Sequence, residues 1–162
     1  MKIISLWPPW AQLVSLNLKR IETRSWKAPE VLIGQRIGIH VTKKMPAMAR
    51  RFCRKFALLL GYTVENYNGS WLYYLEQGIG NFGKIIATAK LCGCYKIINN
   101  DVIGKVAYID VNGLEFAVTG NEYEFGDYRT GRYVWMLEDI QQLPNPIPAK
   151  GMQRLWNWDG EL

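Results

Sequence analysis

Hydrophobic residues recur along the chain with two spacings, and the spacing indicates the type of element in each segment. Alternation of apolar and polar positions predicts extended segments at residues 3–6, 20–26, 36–42, 84–97, 105–111, 114–119 and 133–140. Helical spacing predicts helices at residues 9–18 and 47–60, with a further turn or two at 70–77. Because strands outnumber helices and mostly lack βαβ alternation, the pattern predicts an α+β fold, a small barrel with helices packed around it.

The 47–60 segment shows the strongest helical pattern. Its predicted apolar stripe is Met48, Phe52, Phe56, Leu59 and Leu60. Its predicted polar face carries four cations, Arg50, Arg51, Arg54 and Lys55. Like charges four residues apart repel weakly on a helix, so either an anionic partner or ordinary salt would relieve this face.

Turn-forming residues mark the other boundaries. Asn112-Gly113 between two alternating segments predicts a type I′ hairpin. Residues 122–131 are polar and contain glycine, which predicts a loop, and Pro144, Pro146 and Pro148 predict an extended segment before a Trp-rich tail. The 162 residues fit one domain, 1–162, with a sizeable core.

Composition narrows the class of protein. Apolar residues make up 49% and charged residues 21%, as in globular proteins. The N-terminus shows no signal-peptide pattern, and no apolar run approaches the length of a membrane span, so we expect a cytoplasmic protein without membrane contact. Three cysteines and one histidine are too few soft ligands to favour a structural zinc site, and we expect no resident cofactor.

Charge is distributed unevenly along the chain. Residues 1–95 carry 14 Lys/Arg and 4 Asp/Glu, whereas residues 96–162 carry 6 and 10. The basic excess is greatest in 36–55, where there is no acid. A one-sided positive field attracts phosphates, so RNA or another single-stranded nucleic acid is one candidate partner, and a basic face kept for solubility is the alternative.

Two segments carry a family resemblance. The first is SLWPPWA at residues 5–11, followed by NLKRIETRSW at 17–26. The second is FGDYRTGRYVW at 125–135, continuing into PIPAKGMQRLW at 146–156. Together they resemble the ASCH family, whose signature G-x-K-x-x-E-x-R is matched by Lys19, Glu22 and Arg24, with Asn17 in place of the glycine. The strand with His40 and the lysines after it is also similar to longer bacterial members.

The resemblance implies a PUA-like β-barrel and a cleft lined by the signature residues. Family members are linked to RNA or DNA binding, one to ribonuclease activity, and a short branch to hydrolysis of N4-acylated cytidine. That branch uses a lysine and a threonine at the signature. Lys19 matches the lysine, but Glu22 stands where the threonine would be.

The chemistry of the signature residues also suggests a site. Lys19 could bind an oxyanion or act as a base, Glu22 could transfer a proton to or from a water, and Arg24 could hold a phosphate. These assignments make Lys19 and Glu22 the candidate catalytic residues. The structural alternative is an ion pair of Glu22 with Arg24 or Lys19 that locks the turn.

Further candidate ligand contacts surround the signature, and each has a structural alternative. Aromatic faces stack on bases, so Trp7 and Trp26 are candidates, while Trp10, Trp135 and Trp156 are expected in the core. His40, Lys43 and Lys44 are candidates for phosphate contact or proton transfer, although His40 fits a buried structural role equally well. Tyr128 in the 122–131 loop and Arg132 directly after it are candidates, and Asp127 could instead hold this segment as a structural turn.

Three functions follow from these residues. The first is RNA or nucleotide binding, with ribonuclease activity and a divalent metal as an extension. A two-metal site is less favoured, because Glu22 is the one acid near the signature and Glu124 or Asp127 would have to fold over it. The second is hydrolysis of a modified nucleoside such as an N4-acylated cytidine. The third is a non-catalytic nucleotide sensor or interaction module.

Overall fold

The computed structural model describes residues 1–76 and 80–161. The chain groups into two compact units that interleave in sequence. Unit 1 contains Met1–Leu16, Ile37–Thr88 and Gln141–Leu162. Unit 2 contains Asn17–Arg36 and Ala89–Ile140.

In the described ranges the strands are β1 (Lys2–Leu6), β2 (Ile21–Arg24), β3 (Arg36–Val41), β4 (Lys84–Asp101), β5 (Val106–Val111), β6 (Leu114–Val118), β7 (Tyr133–Pro148) and β8 (Leu155–Asn157). The helices are α1 (Trp10–Ser15), α2 (Ala47–Leu59), α3 (Trp71–Glu76) and α4 (Gly120–Glu124). The predicted α+β class is therefore confirmed. Residue 77, the last of the predicted third helical segment, lies outside the described residues.

The strands form an open sheet, so the closed barrel expected from the sequence is wrong. Hydrogen-bonded strands follow the order β2-β7-β4-β3-β1-β8, and β5 and β6 branch from β4. Closure requires the two end strands to pair, and among the described strands no pair joins β2 to β8. These ends have four and three residues, so each offers only a short edge for pairing.

In unit 1, β1 lies between β3 and β8. It pairs in parallel with β3, so that Ser5 is opposite His40, and antiparallel with β8. Strand β3 is buried on both faces, with Ile37, Ile39 and Val41 on one and Gly38 and His40 on the other. Pairing with β4 and β1 covers only the edges of β3; its faces are covered by packing, as by the Trp156 ring at His40.

The α2 helix buries a different stripe from the one predicted. Its buried residues are Ala49, Cys53, Phe56 and Ala57, whereas Met48 is 57% exposed. The small side chains of Ala49 and Ala57 allow close packing on the buried face of the helix. Gly61, at φ +87°, ends the helix, and the N–H of Tyr62 donates to the Ala57 carbonyl at 2.9 Å, as in a Schellman motif.

Unit 2 contains the predicted hairpin. Strands β5 and β6 pair around Asn112 and Gly113, whose φ values of 55° and 86° fit a type I′ turn. The loop predicted at 122–131 is wrong for its first three residues, which belong to helix α4. Strand β7 also extends through the proline segment at 144–148, since the φ of proline fits extended backbone.

Candidate functional site

A left-handed turn leads into the signature segment of unit 2. Helix α1 stops at Ser15, three residues before the predicted end, and Asn17 then takes φ +58°. Asparagine tolerates this conformation because its short side chain bonds locally, and here Asn17 Oδ1 accepts from Arg20 Nε at 2.9 Å. The turn sends Lys19 inward, where its side chain is fully buried.

Glu22 lies between two cations of its own segment. Its Oε2 is 3.5 Å from Lys19 Nζ, and its Oε1 is 3.3 Å from Arg24 Nε. Lys19 also donates to the carbonyl of Ile21. Both ion pairs of the structural alternative are therefore present. Strand β2, paired with β7, sets the alternation that places Glu22 and Arg24 on one side of the strand.

Glu122 is a member of this cluster that the sequence argument missed. Its carboxylate accepts the backbone N–H groups of Arg20 and Ile21, the latter at 3.3 Å. Burial raises the pKa of Glu122, and the charge of Lys19 and the two N–H groups oppose that rise. The polar 122–131 pattern indicated a loop here, but nothing in it distinguishes Glu122 from Glu124.

Tyr128 closes the cluster on the side of α4. Its hydroxyl donates to the Glu122 carbonyl at 3.1 Å, and its ring stacks on Tyr123 with 5.6 Å between centroids. The side chain is 3% exposed. Burial and the negative charges of Glu122 and Glu22 raise the pKa of Tyr128, so it stays a neutral phenol. Its placement is internal rather than on an exposed loop.

These groups together form an acid–base cluster. A carboxyl with a raised pKa exchanges its proton at a higher pH than an exposed carboxyl does. A buried ammonium stabilises negative charge that develops nearby, because little water screens it. In this arrangement Lys19 is the positive charge that both carboxylates share, since it pairs with Glu22 and lowers the pKa of Glu122.

Arg132 and Trp26 make structural contacts within unit 2. Arg132 donates to the carbonyls of Asp127 at 3.1 Å and Thr23 at 3.4 Å. The Asp127 N–H in turn donates to Thr23 Oγ1 at 3.0 Å, so this segment is tied to β2. Trp26 packs edge-on against the fully buried Trp135, 4.7 Å between centroids.

The other four predicted site residues belong to unit 1. Lys43 and Lys44 are exposed, and Trp7 is 45% exposed. Their participation in one site with Lys19 stays a prediction.

His40 is enclosed within unit 1. Trp156 Nε1 donates to Ser5 Oγ at 3.1 Å, and Ser5 Oγ is 3.1 Å from His40 Nδ1. The Trp156 ring lies edge-on to the imidazole at 5.6 Å. Burial is the main cause of a lowered His40 pKa, with Lys43 contributing, so the ring is neutral at neutral pH. This is the environment of the buried structural histidine.

The described ranges lack two features. They contain no group of three or more His, Cys, Asp or Glu side chains arranged to hold a metal ion. No helix in the same ranges combines the length and apolarity needed to cross a membrane.

No family model matches the sequence, and no curated protein matches it either. Solved structures do match. The ASCH protein of Zymomonas mobilis aligns with 98% of this chain and 87% of its own, at 18% identity and a TM-score of 0.50. Two single-substitution variants of that protein, also 18% identical, align with TM-scores of 0.49, over 98% of this chain and 88% of theirs, and 0.46, over 91% and 74%. The chain therefore has the fold of an ASCH domain, as the signature at residues 17–26 led us to expect.

Proposed function

We propose that this protein is an ASCH-family, PUA-like domain that binds RNA or a nucleotide, and that the exposed cationic face of α2 is its main phosphate-binding surface. The observation that carries the proposal is the charge of unit 1. This unit has ten Lys/Arg and four Asp/Glu, a net charge of +6, whereas unit 2 has ten of each. A positive surface of this kind supplies sequence-independent affinity for phosphates.

The α2 face is suited to phosphate contact. Arg50, Arg51, Arg54 and Lys55 are all exposed. Arg54 lies over the Tyr67 ring at 5.7 Å, and Lys55 lies over the Phe52 ring at 5.8 Å. Packing on aromatic rings limits the conformations of these long side chains, which lowers the entropy lost when they bind a phosphate.

Fluorescence anisotropy with a labelled single-stranded RNA of mixed sequence tests the proposal. The affinity should fall steeply between about 50 and 200 mM salt. The double variant Arg51→Gln/Lys55→Gln should weaken binding. It should also lower the salt slope, the magnitude of the slope of log K against log salt concentration, by about 1.4, since each lost phosphate contact contributes about 0.7.

The matched control is Lys27→Gln/Lys90→Gln. It also removes two positive charges, but in unit 2, where Glu30 and Glu138 already pair with them at 2.7 and 2.8 Å. We expect the control to keep most of the affinity. Salt-independent binding, or an equal loss in both double variants, would contradict the proposal.

A second candidate function is hydrolysis of a modified nucleoside. The observation that favours it is the raised pKa of Glu122 beside the buried Lys19. In this proposal Glu122 or Glu22 transfers the proton and Lys19 stabilises the negative charge. A panel of N4-acylated cytidines should show turnover that Lys19→Ala and Glu122→Gln abolish. Unchanged turnover in correctly folded Lys19→Ala protein would rule the mechanism out.

A further inference from the structure

Gln12 is a buried polar side chain whose carboxamide is unused. The residue lies in α1 and is 9% exposed. Neither its Nε2 nor its Oε1 has a hydrogen-bond partner among residues 1–76 and 80–161. Buried amides are usually paired, because an unmade hydrogen bond leaves the cost of removing the group from water uncompensated. An amide with both atoms unpaired is therefore a candidate for ligand recognition.

The nearby backbone explains why the amide has no partner. Pro8 and Pro9 precede the helix, and proline has no N–H to donate. The Ser15 hydroxyl donates at 3.0 Å to the backbone carbonyl of Gln12, as does the N–H of Leu16 at 2.9 Å, so neither reaches the carboxamide. The backbone carbonyl of Gln12 therefore has hydrogen-bond partners, whereas its carboxamide has none among the described residues.

Gln12 also has an aromatic neighbour suited to stacking. A helical side chain leans over the preceding turn, which for Gln12 holds Pro8 and Pro9. Trp7 begins that turn, its carbonyl accepts the N–H of Ala11 at 3.2 Å, and its side chain is 45% exposed. By contrast, Trp10 packs edge-on against Phe52 and Phe56, as expected of a core residue.

We propose that Gln12 and Trp7 form a nucleobase subsite in unit 1, in which the carboxamide pairs with the edge of a base and the indole stacks on its ring. This inference rests on the proposed RNA- or nucleotide-binding function and adds base preference to it. An amide offers one donor and one acceptor side by side, the pattern that pairs with a base edge presenting the complementary groups, such as adenine. The cations of α2 supply affinity for any sequence, whereas this pair would supply selectivity.

Binding of labelled oligo-A, oligo-C and oligo-U to the full chain tests the subsite. We expect the wild-type affinities for the best and worst base to differ by roughly 10-fold. Gln12→Met, which keeps length and removes the polar atoms, should bring the three affinities to within about 3-fold, with the same salt slope. The control Gln142→Met, at an exposed glutamine of unit 1, should keep the preference.

A stability measurement separates recognition from a structural role. If the amide has no partner in the free protein, Gln12→Met should keep or raise the Tm, because an apolar group costs less to bury. Loss of base preference with an unchanged or higher Tm supports the subsite. A lower Tm with the preference retained overturns it. Should Gln12→Met fail to fold, Gln12→Glu has the same shape, and its ratio of affinities must also differ from wild type.

Substitution of Trp7 tests the stacking part of the subsite independently. Stacking is tolerant of base identity, so Trp7→Ala should weaken all three oligonucleotides by about 10-fold, and Trp7→Phe should restore most of the affinity. Equal affinity of Trp7→Ala and wild type would overturn the stacking assignment.

The outcomes distinguish this inference from the function on which it rests. Salt-sensitive RNA binding whose base preference survives in Gln12→Met overturns the subsite and leaves the proposed function standing. If the wild type shows no salt-sensitive RNA binding, the proposed function fails, and titration with free nucleosides decides the subsite. Weaker nucleoside binding by Gln12→Met than by wild type supports it, and equal or absent binding overturns it.

Discussion

Unit 1 and unit 2 have the same number of positive residues and use them in opposite ways. Each contains ten Lys/Arg, but unit 1 has four acids and unit 2 has ten. In unit 2 most of the cations pair with acids of the same unit, as Lys19 and Arg24 do with Glu22. Unit 1 therefore carries the net positive charge on which the proposed phosphate binding rests, whereas unit 2 is neutral and holds a buried ion pair at Lys19.

Removing the buried cation of unit 2 should have the largest effect. Lys19→Met leaves Glu22 and Glu122 without their shared positive charge, and the free energy of unfolding should fall by about 3–5 kcal/mol. Urea denaturation measures it. The exposed Lys27, also paired with a glutamate, gives the control Lys27→Met, which should leave the unfolding midpoint unchanged. Equal effects of the two variants would remove the distinction between buried and surface ions.

Closing the space around His40 tests the packing of unit 1. A Cβ at Gly151 would lie 2.1 Å from His40 Cε1, and the imidazole is held by Ser5 and Trp156. Gly151→Ala should therefore lower stability by about 1–3 kcal/mol. Gly69→Ala is the matched control, because its Cβ would meet nothing within 4 Å. Thermal unfolding compares the two, and a neutral Gly151→Ala would contradict a rigid His40 site.

One buried group in each unit, His40 in unit 1 and Glu122 in unit 2, should make stability respond to pH in opposite directions. The His40 pKa is lowered from 6.5, so the unfolded chain binds the proton better and stability falls as pH drops below 6.5. The Glu122 pKa is raised from 4.5, so the folded state binds the proton better and stability falls as pH rises above 4.5.

Variants separate the two contributions. In chemical denaturation across pH 4 to 8, His40→Gln should reduce the loss of stability on the acid side, and Glu122→Gln should reduce the loss on the neutral side. Wild-type pH dependence in either variant would show that its group does not titrate as described. The test is about direction, since Lys43 reinforces the lowered pKa of His40, the Ala149 backbone opposes it, and Lys19 opposes the raised pKa of Glu122.

The smallest effect concerns an exception to charge pairing in unit 2. Asp110 and Glu115 are directly opposite on β5 and β6, and like charges in this position destabilise a hairpin. Glu115→Lys should therefore raise stability by about 0.2–1 kcal/mol. The gain should fade in 1 M salt, which screens exposed charges. A loss of stability at low salt would contradict the pairing.

Local sequence determined most of the elements of this protein. Alternation located strands β1 to β7 but not β8, Asn112-Gly113 located the hairpin turn, and the signature at Lys19, Glu22 and Arg24 pointed to the fold of an ASCH domain. These features succeed because backbone geometry and neighbouring side chains act over a few residues. The ends of β4 and β7 were missed because pairing with distant strands extends them beyond the local pattern.

Tertiary structure decided the composition of the acid–base cluster and the exposure of its members. Glu122 reaches Arg20 and Ile21 across about one hundred residues of sequence, and no local pattern encodes such a contact. The same holds for the burial of Lys19, the enclosure of His40 and the unpaired amide of Gln12. Sequence specifies which chemical groups are available, whereas long-range packing sets the water, charge and hydrogen-bond partners around each group, and these determine what it can do.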